Sequence, residues 1–216
     1  MSASRSSDLS LYLVTDTRMC GARGVADTVQ EAVGAGVTAV QLRDHDASDD
    51  EFVAMGRAVV AAVGGRVPVL VDDRVALVRA IGADGAHVGQ SDLHPVLARR
   101  LLGPSALIGL SALTVAHVHA AEAMGPGVID YLGVGPVWPQ STKPDAAEPC
   151  GLDGLRAVVD ASAWPCVAIG GVDVARAPSV RASGAAGMAV VSAICGRPDV
   201  AAATSALRTA WGSGAR

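Results

Sequence analysis

At 216 residues the chain can enclose one substantial core, and half of its residues are hydrophobic while only 3% are aromatic. A core of Ala, Val, Leu and Ile suits helices packed closely on a sheet better than a bulky β-sandwich. A formal charge of −4, with no Lys/Arg run, argues against a nucleic-acid binder. The longest apolar run, Ala185–Cys195, is too short to cross a bilayer. Residues 1–8 are polar, lack the apolar segment of a signal peptide and are expected to be a disordered tail. The cysteines Cys20, Cys150, Cys166 and Cys195 form no C-x-x-C pair and fit a reduced, cytoplasmic protein.

Taken in order, Leu11–Thr15 reads as a strand ended by Asp16. Val25–Ala35 is a predicted helix that Gly36 can close, and Val37–Leu42 a second strand ending in Arg43-Asp44-His45. Ser48-Asp-Asp-Glu51 is a capping box for a helix to about Val63. Strand three is Val67–Val71. Val75–Ile81 is a helix stopped by Gly82, and Gly85–Val88 strand four. A helix after Asp92 takes Pro95 into its first turn. Strand five, Ala106–Leu110, precedes Ser111 and a helix over Val115–Met124. Strand six is Tyr131–Val134, and a polar loop, Gly135–Gly151, holds Thr142 and Lys143. A helix over Leu152–Ala161 leads to strand seven, Cys166–Ile169, which ends in Gly170-Gly171. Asp173 caps a helix whose regular part Pro178 delays. Strand eight is Met188–Val191, next to Ser192, and the last helix spans Val200–Trp211.

Gly36-Val-Thr-Ala-Val, Gly82-Ala-Asp-Gly-Ala-His-Val and Gly184-Ala-Ala-Gly-Met-Ala-Val repeat one device, a helix-stop Gly running into a strand. Strands alternating with helices imply a parallel sheet. Eight such units predict an α/β fold, a parallel eight-stranded (β/α)8 TIM barrel over residues 9–212 as one catalytic domain. A doubly wound open sheet is the alternative. No G-x-G-x-x-G follows the first strand, which weakens a dinucleotide-binding reading.

In such a barrel the groups after each strand share one rim, and active sites sit there. That rim would carry Asp16, Arg43 with His45, Asp72 with Asp73, Gln90 with Asp92, Ser111, the Thr142–Lys143 loop, Gly170-Gly171 and Ser192. Neighbouring strands lie about 4.8 Å apart, so their terminal carboxylates repel unless a cation offsets them. Asp73 and Asp92 are therefore read as ligands of a hard divalent ion, Mg²⁺, against the plainer reading that each caps a helix. Gly170-Gly171 with Ser192 is read as a phosphate pocket rather than a mere turn. Arg43 is either a phosphate clamp or an ion pair with Asp16 or Asp72. Lys143 is a lid cation or a solvated lysine. His87 belongs to the core or the barrel lumen, His94 to the surface, and His117 with His119 makes no metal pair.

The chain resembles the thiamine phosphate synthase family from its first strand to its last helix. The matching stretches are Leu11–Asp16, Val40–Asp44, Val71–Arg74, Gly82–Asp92, Ile108–Ser111, Tyr131–Pro136, Thr142–Ala146, Ala168–Gly171 and Val190–Ile194. The resemblance implies a transferase that joins 4-amino-5-hydroxymethyl-2-methylpyrimidine diphosphate to 4-methyl-5-(2-phosphoethyl)thiazole, releasing pyrophosphate. It implies Mg²⁺ on Asp73 and Asp92, and pyrophosphate held by Arg43, Ser111 and Lys143. It implies the pyrimidine against Gln41, and the thiazole phosphate on Gly171, Val191 and Ser192 with help from Thr142. No nucleic acid or membrane partner is implied.

Four positions depart from the family pattern: His45 for a usual Lys, Asp72 for Asn, Leu113 for His, and Gln140 for Thr. The first two lower positive charge beside the anion. The alternatives to the synthase are a thiazole tautomerase-like isomerase, which needs no metal acids, and a non-catalytic paralogue that binds a phosphate ligand.

Overall fold

A computed structural model of the chain describes residues 8–140 and 147–213. The strands are β1 (Leu11–Val14), β2 (Ala39–Leu42), β3 (Val69–Asp72), β4 (Gly85–Val88), β5 (Leu107–Ala112), β6 (Tyr131–Val134), β7 (Cys166–Ile169) and β8 (Gly187–Val190). All pair in parallel with their sequence neighbours, and β8 returns to β1, closing the barrel. The helices are α1 (Thr17–Cys20), α2 (Val25–Gly34), α3 (Asp49–Val63), α4 (Val78–Ile81), α5 (Pro95–Leu102), α6 (Val115–Glu122), α7 (Gly151–Ala161), α8 (Ala177–Ala182) and α9 (Val200–Ser213). The expected TIM barrel is therefore present, and the open sheet is not. Thr142 and Lys143 lie outside the described residues, as does all of the expected N-terminal tail except Asp8.

The period-two alternation of each strand separates two cores. Outward residues such as Leu13, Val40, Val71, Ala86, Ile108, Leu132, Ala168 and Met188 pack with Val29, Val59, Ala98, Val118, Leu155 and Leu207 of the helices. Inward residues Tyr12, Val14, Ala39, Leu70, Tyr131, Val167 and Ala189 fill the lumen together with Leu9. Each fully buried Leu or Val contributes about 1.5–3 kcal/mol, so the outer ring of aliphatic contacts holds the barrel closed.

Local signals act where expected, with shifts of a residue or two. Ser48 and Glu51 form the reciprocal capping box of α3. The segment after β3 is tighter than a plain helix: a 3₁₀ turn at Val75–Leu77 runs into α4. α2 stops at Gly34, one residue early, with Ala35 as its cap, and Gly36 takes φ +118. Asp173 Oδ1 accepts from Arg176 N at 2.9 Å, and α8 starts only at Ala177 with Pro178 in its first turn. Among the described residues no helix is long and apolar enough to cross a membrane, and all four cysteines are free thiols.

Candidate active site

The C-terminal ends of the strands open into a cleft of about 1450 Å³. A single small-ligand pocket is roughly 300–1,000 Å³, so there is room for two substrates side by side. The cleft brings together Gln41, Arg43, His45, Asp72, Asp73, Asp92, Ser111, Gln140, Gly171, Val191 and Ser192, every predicted site residue among those described.

On the β2–β3 side, Asp72 ends β3 with 12% of its side chain exposed. Its Oδ2 lies 3.4 Å from Arg43 Nε and 3.8 Å from His45 Nε2. The ion pair between Arg43 and Asp72 is one of the two partners the strand positions allowed. Asp73 takes φ +55, a left-handed conformation that costs a residue with a Cβ about 1–2 kcal/mol and that Asp tolerates better than most. His45, Asp72 and Asp73 each offer one ligand atom, and the three atoms lie within 4.8 Å of one another. This is the set in ion-coordinating range among the described residues.

The N-cap positions after β3 and before α5 fall on Arg74 and His94 rather than on Asp73 and Asp92. The 3₁₀ turn after β3 has no side-chain cap, and α5 is capped by His94, whose Nδ1 accepts from Val96 N at 3.3 Å. Asp92 Oδ2 instead accepts from Gly89 N at 2.7 Å, which folds the β4 loop back on itself. Gln90 Nε2 donates to the Ser111 carbonyl at 2.6 Å and ties that loop to β5. Asp16 caps α1 through Met19 N. His117, in the first turn of α6, lines the cleft, and its Nδ1 accepts from Leu113 N at 3.1 Å. An imidazole thus stands beside position 113, from a residue four further along.

On the opposite side, Gly170 and Gly171 have φ +94 and +68. A Cβ on Gly170 would press on Pro136, and one on Gly171 on Trp138 and the Pro139 carbonyl. Glycine is required here by both backbone and space. α8 begins six residues beyond Gly171, so the pocket is lined by loop backbone rather than by the adjoining end of a helix. Arg176 donates through Nη1 to the Gly171 carbonyl and stacks on Trp138 at 5.0 Å. Arg197 Nε donates to the Ser192 carbonyl at 3.0 Å. Both arginines line the cleft, and sequence reasoning missed them because each lies several residues past its strand end.

The floor is the top of the lumen. Gln41 Nε2 donates to Tyr12 Oη at 3.3 Å, and the Tyr12 and Tyr131 hydroxyls are 3.0 Å apart. His87 Nδ1 is 2.9 Å from Tyr131 Oη, and His87 Nε2 is 2.9 Å from Ser111 Oγ. Burial pushes both phenols above their ordinary range, which keeps them neutral. His87 is therefore a lumen histidine, as its place inside a strand suggested.

A TIM barrel with a roomy C-terminal cleft, carboxylates and an arginine on one side and a Gly-Gly loop with Ser192 on the other, defines a class: barrel enzymes that handle phosphorylated small molecules. The family model described as thiamine monophosphate synthase matches residues 11–194. A thiamine-phosphate synthase of Psychrobacter sp. (strain PRwf-1) is 45% identical over 191 residues, 88% of this chain and 90% of the relative. One of Azorhizobium caulinodans is 44% identical over 203 residues, 94% of each chain. The solved thiamine phosphate pyrophosphorylase of Pyrococcus furiosus superposes with a TM-score of 0.85 at 33% identity, covering 97% of this chain and 98% of that one. The chain belongs to the thiamine monophosphate synthase family, whose members are transferases.

Proposed function

We propose that the cleft couples 4-amino-5-hydroxymethyl-2-methylpyrimidine diphosphate to 4-methyl-5-(2-phosphoethyl)thiazole, giving thiamine phosphate and pyrophosphate. The observation that carries this reading is the convergence of Gln41, Arg43, Asp73, Ser111, Gly171 and Ser192, from five different strands, on one cleft large enough for both substrates. The tautomerase reading gains nothing from the metal-competent acids, and the family relationship does not favour it.

The C–O bond between the pyrimidine methylene and the diphosphate breaks first, and the bonding pair leaves with pyrophosphate. The ring amino group stabilises the resulting methyl cation, the thiazole nitrogen attacks it, and no proton transfer or protein nucleophile is needed. The protein's work is charge stabilisation and alignment. Arg43, Ser111 and Lys143 would hold the leaving group, with His45 and Asp72 beside it, and Gln140 would line the substrate cleft. Gln41 would orient the pyrimidine. Gly171, Val191, Ser192 and Thr142 would hold the thiazole phosphate, and Arg176 and Arg197 would add positive charge at that end.

Two hard carboxylate donors suit Mg²⁺, which prefers one or two protein carboxylates plus phosphate oxygens. Asp73 with Asp92 would hold it, and Asp72 lies within reach of Asp73. When bound, the ion neutralises diphosphate charge and makes pyrophosphate a better leaving group. The reading places the protein in the cytoplasm with small-molecule partners. The test is to mix both substrates with Mg²⁺ and assay thiamine phosphate and pyrophosphate. Absence of product with wild type overturns the synthase reading, and undiminished product from Asp73→Asn with Asp92→Asn overturns the metal assignment.

A further inference from the structure

From donor–acceptor accounting across the lumen, we infer that Tyr12, Tyr131 and His87 form a one-way hydrogen-bond chain, directed by the Gln41 amide, that holds Ser111 as a donor toward the cleft. The role given to Ser111 rests on the functional reading above. None of the three residues is assigned contact with a reacting atom; they are positioning residues.

Four links join five groups: Gln41 Nε2 to Tyr12 Oη, Tyr12 to Tyr131, Tyr131 to His87 Nδ1, and His87 Nε2 to Ser111 Oγ. Each link takes one hydrogen. An amide nitrogen only donates, so Tyr12 accepts from Gln41 and its own hydrogen goes to Tyr131. The Tyr131 hydrogen then goes to His87 Nδ1. A neutral imidazole accepting at Nδ1 carries its hydrogen on Nε2 and donates it to Ser111 Oγ. The Ser111 hydrogen is left to point into the cleft, toward the leaving diphosphate. If Gln41 turned its carbonyl to Tyr12, every link would reverse. Ser111 would then donate inward to His87 and present lone pairs to an anion. The pyrimidine-side amide and the diphosphate-side hydroxyl are thus coupled through the barrel floor.

Two further observations support a built device. Gln41, Tyr12 and Tyr131 are each 5% exposed or less, where an unmade hydrogen bond is not replaced by one to water. The room for the chain comes from inward glycines: a Cβ on Gly109 would overlap Tyr131 and His87, and one on Gly133 would overlap His87. A chain of neutral phenols needs both hydroxyls protonated, which their burial ensures.

The first test needs no substrate. Wild-type protein is labelled with [¹⁵N]histidine, and the His87 signal is identified as the one that survives single substitution of His45, His94, His117 and His119. The expected result is hydrogen on Nε2 and a bare Nδ1; hydrogen on Nδ1 overturns the inference. The second test is a double-mutant cycle. Tyr131→Phe keeps the ring and cuts the chain, and is expected to lower kcat about tenfold, the low end for loss of an outer partner, with the KM for the thiazole phosphate unchanged. In a Ser111→Ala background the same substitution is expected to change kcat by less than about twofold, because the group it directs is gone. Equal losses in both backgrounds overturn the inference. If wild type makes no thiamine phosphate, the functional reading falls, and the tautomer measurement alone decides whether the directed chain exists.

Discussion

His45 and Asp72 face each other at the ends of β2 and β3, with His45 Nε2 3.8 Å from Asp72 Oδ2. The same carboxylate oxygen is 3.4 Å from Arg43 Nε. His45 and Asp72 thus form a pair that also engages the arginine proposed to grip pyrophosphate. The Asp72 carboxylate is turned toward the Arg43 guanidinium, which offsets its repulsion of phosphate. Replacing the pair, His45→Lys with Asp72→Asn, should release Arg43 for the substrate. The KM for the pyrimidine diphosphate is expected to fall roughly threefold, under 1 kcal/mol for a partly exposed charge contact. Half-saturating Mg²⁺ should rise as a nearby carboxylate charge is lost. Steady-state kinetics over a Mg²⁺ series checks both, and no movement in either would sink the assignment of Asp72.

The Gly170-Gly171 turn should tolerate no side chain. Gly171→Ala must place a Cβ at φ +68 and against Trp138. A stability loss of about 1–2 kcal/mol follows from the backbone conformation alone. If the loop holds the thiazole phosphate, the KM for that substrate should rise about tenfold or more while the KM for the diphosphate stays within about twofold. Equal effects on both substrates would show the loop to be structural.

Gly109→Ala probes the lumen itself. The new methyl meets the Tyr131 hydroxyl and the His87 ring, in a space the barrel wall cannot widen. Overpacking of this kind costs about 1–3 kcal/mol. The urea midpoint should fall accordingly, and an unchanged midpoint would mean that the two rings have room to move.

Acid stability has a defined direction. Burial tends to raise the Asp44 carboxyl, but hydrogen bonds from Thr17 and from the backbone N–H groups of Ala47 and Asp46, with the Arg74 charge, hold it below its ordinary value. The Ser48 hydroxyl and backbone N–H hold the Glu51 carboxyl below its own. For both groups the folded state binds protons less readily than the unfolded chain. Their contribution is complete above the ordinary carboxyl range, near pH 4, and is lost as pH falls through the depressed folded values. Urea midpoints should therefore drop from pH 5 to pH 3, and Ser48→Ala should flatten that drop while lowering stability at pH 7 by about 1 kcal/mol. A drop of the same size in Ser48→Ala would remove Glu51 from the account.

Much of this was readable in the chain. Helix-stop glycines, the Ser48–Glu51 box and short aliphatic strands are local signals, because they act through φ, capping and period-two burial within a few residues. They were enough to predict the barrel and to place Arg43, Asp72, Asp73, Asp92, Ser111, Gly171 and Ser192 on one rim. The expected Asp73–Asp92 ligand pair shares the cleft, and Asp73 also groups with His45 and Asp72, one ligand atom of each lying within 4.8 Å of the others. What the spacing could not reveal is which side chains meet across strands. The cap of α5 passed from Asp92 to His94, Asp92 turned to Gly89, Asp72 found Arg43 and His45, and Arg176 and Arg197 joined the cleft from beyond their strand ends. His87 became the centre of a chain from Gln41 to Ser111. Those pairings depend on the stagger and closure of the barrel, which bring residues over a hundred positions apart, such as Tyr12 and Tyr131, to 3.0 Å. Sequence alone determined which residues reach the rim, because strand ends are local; tertiary structure decided their partners, because closure is not.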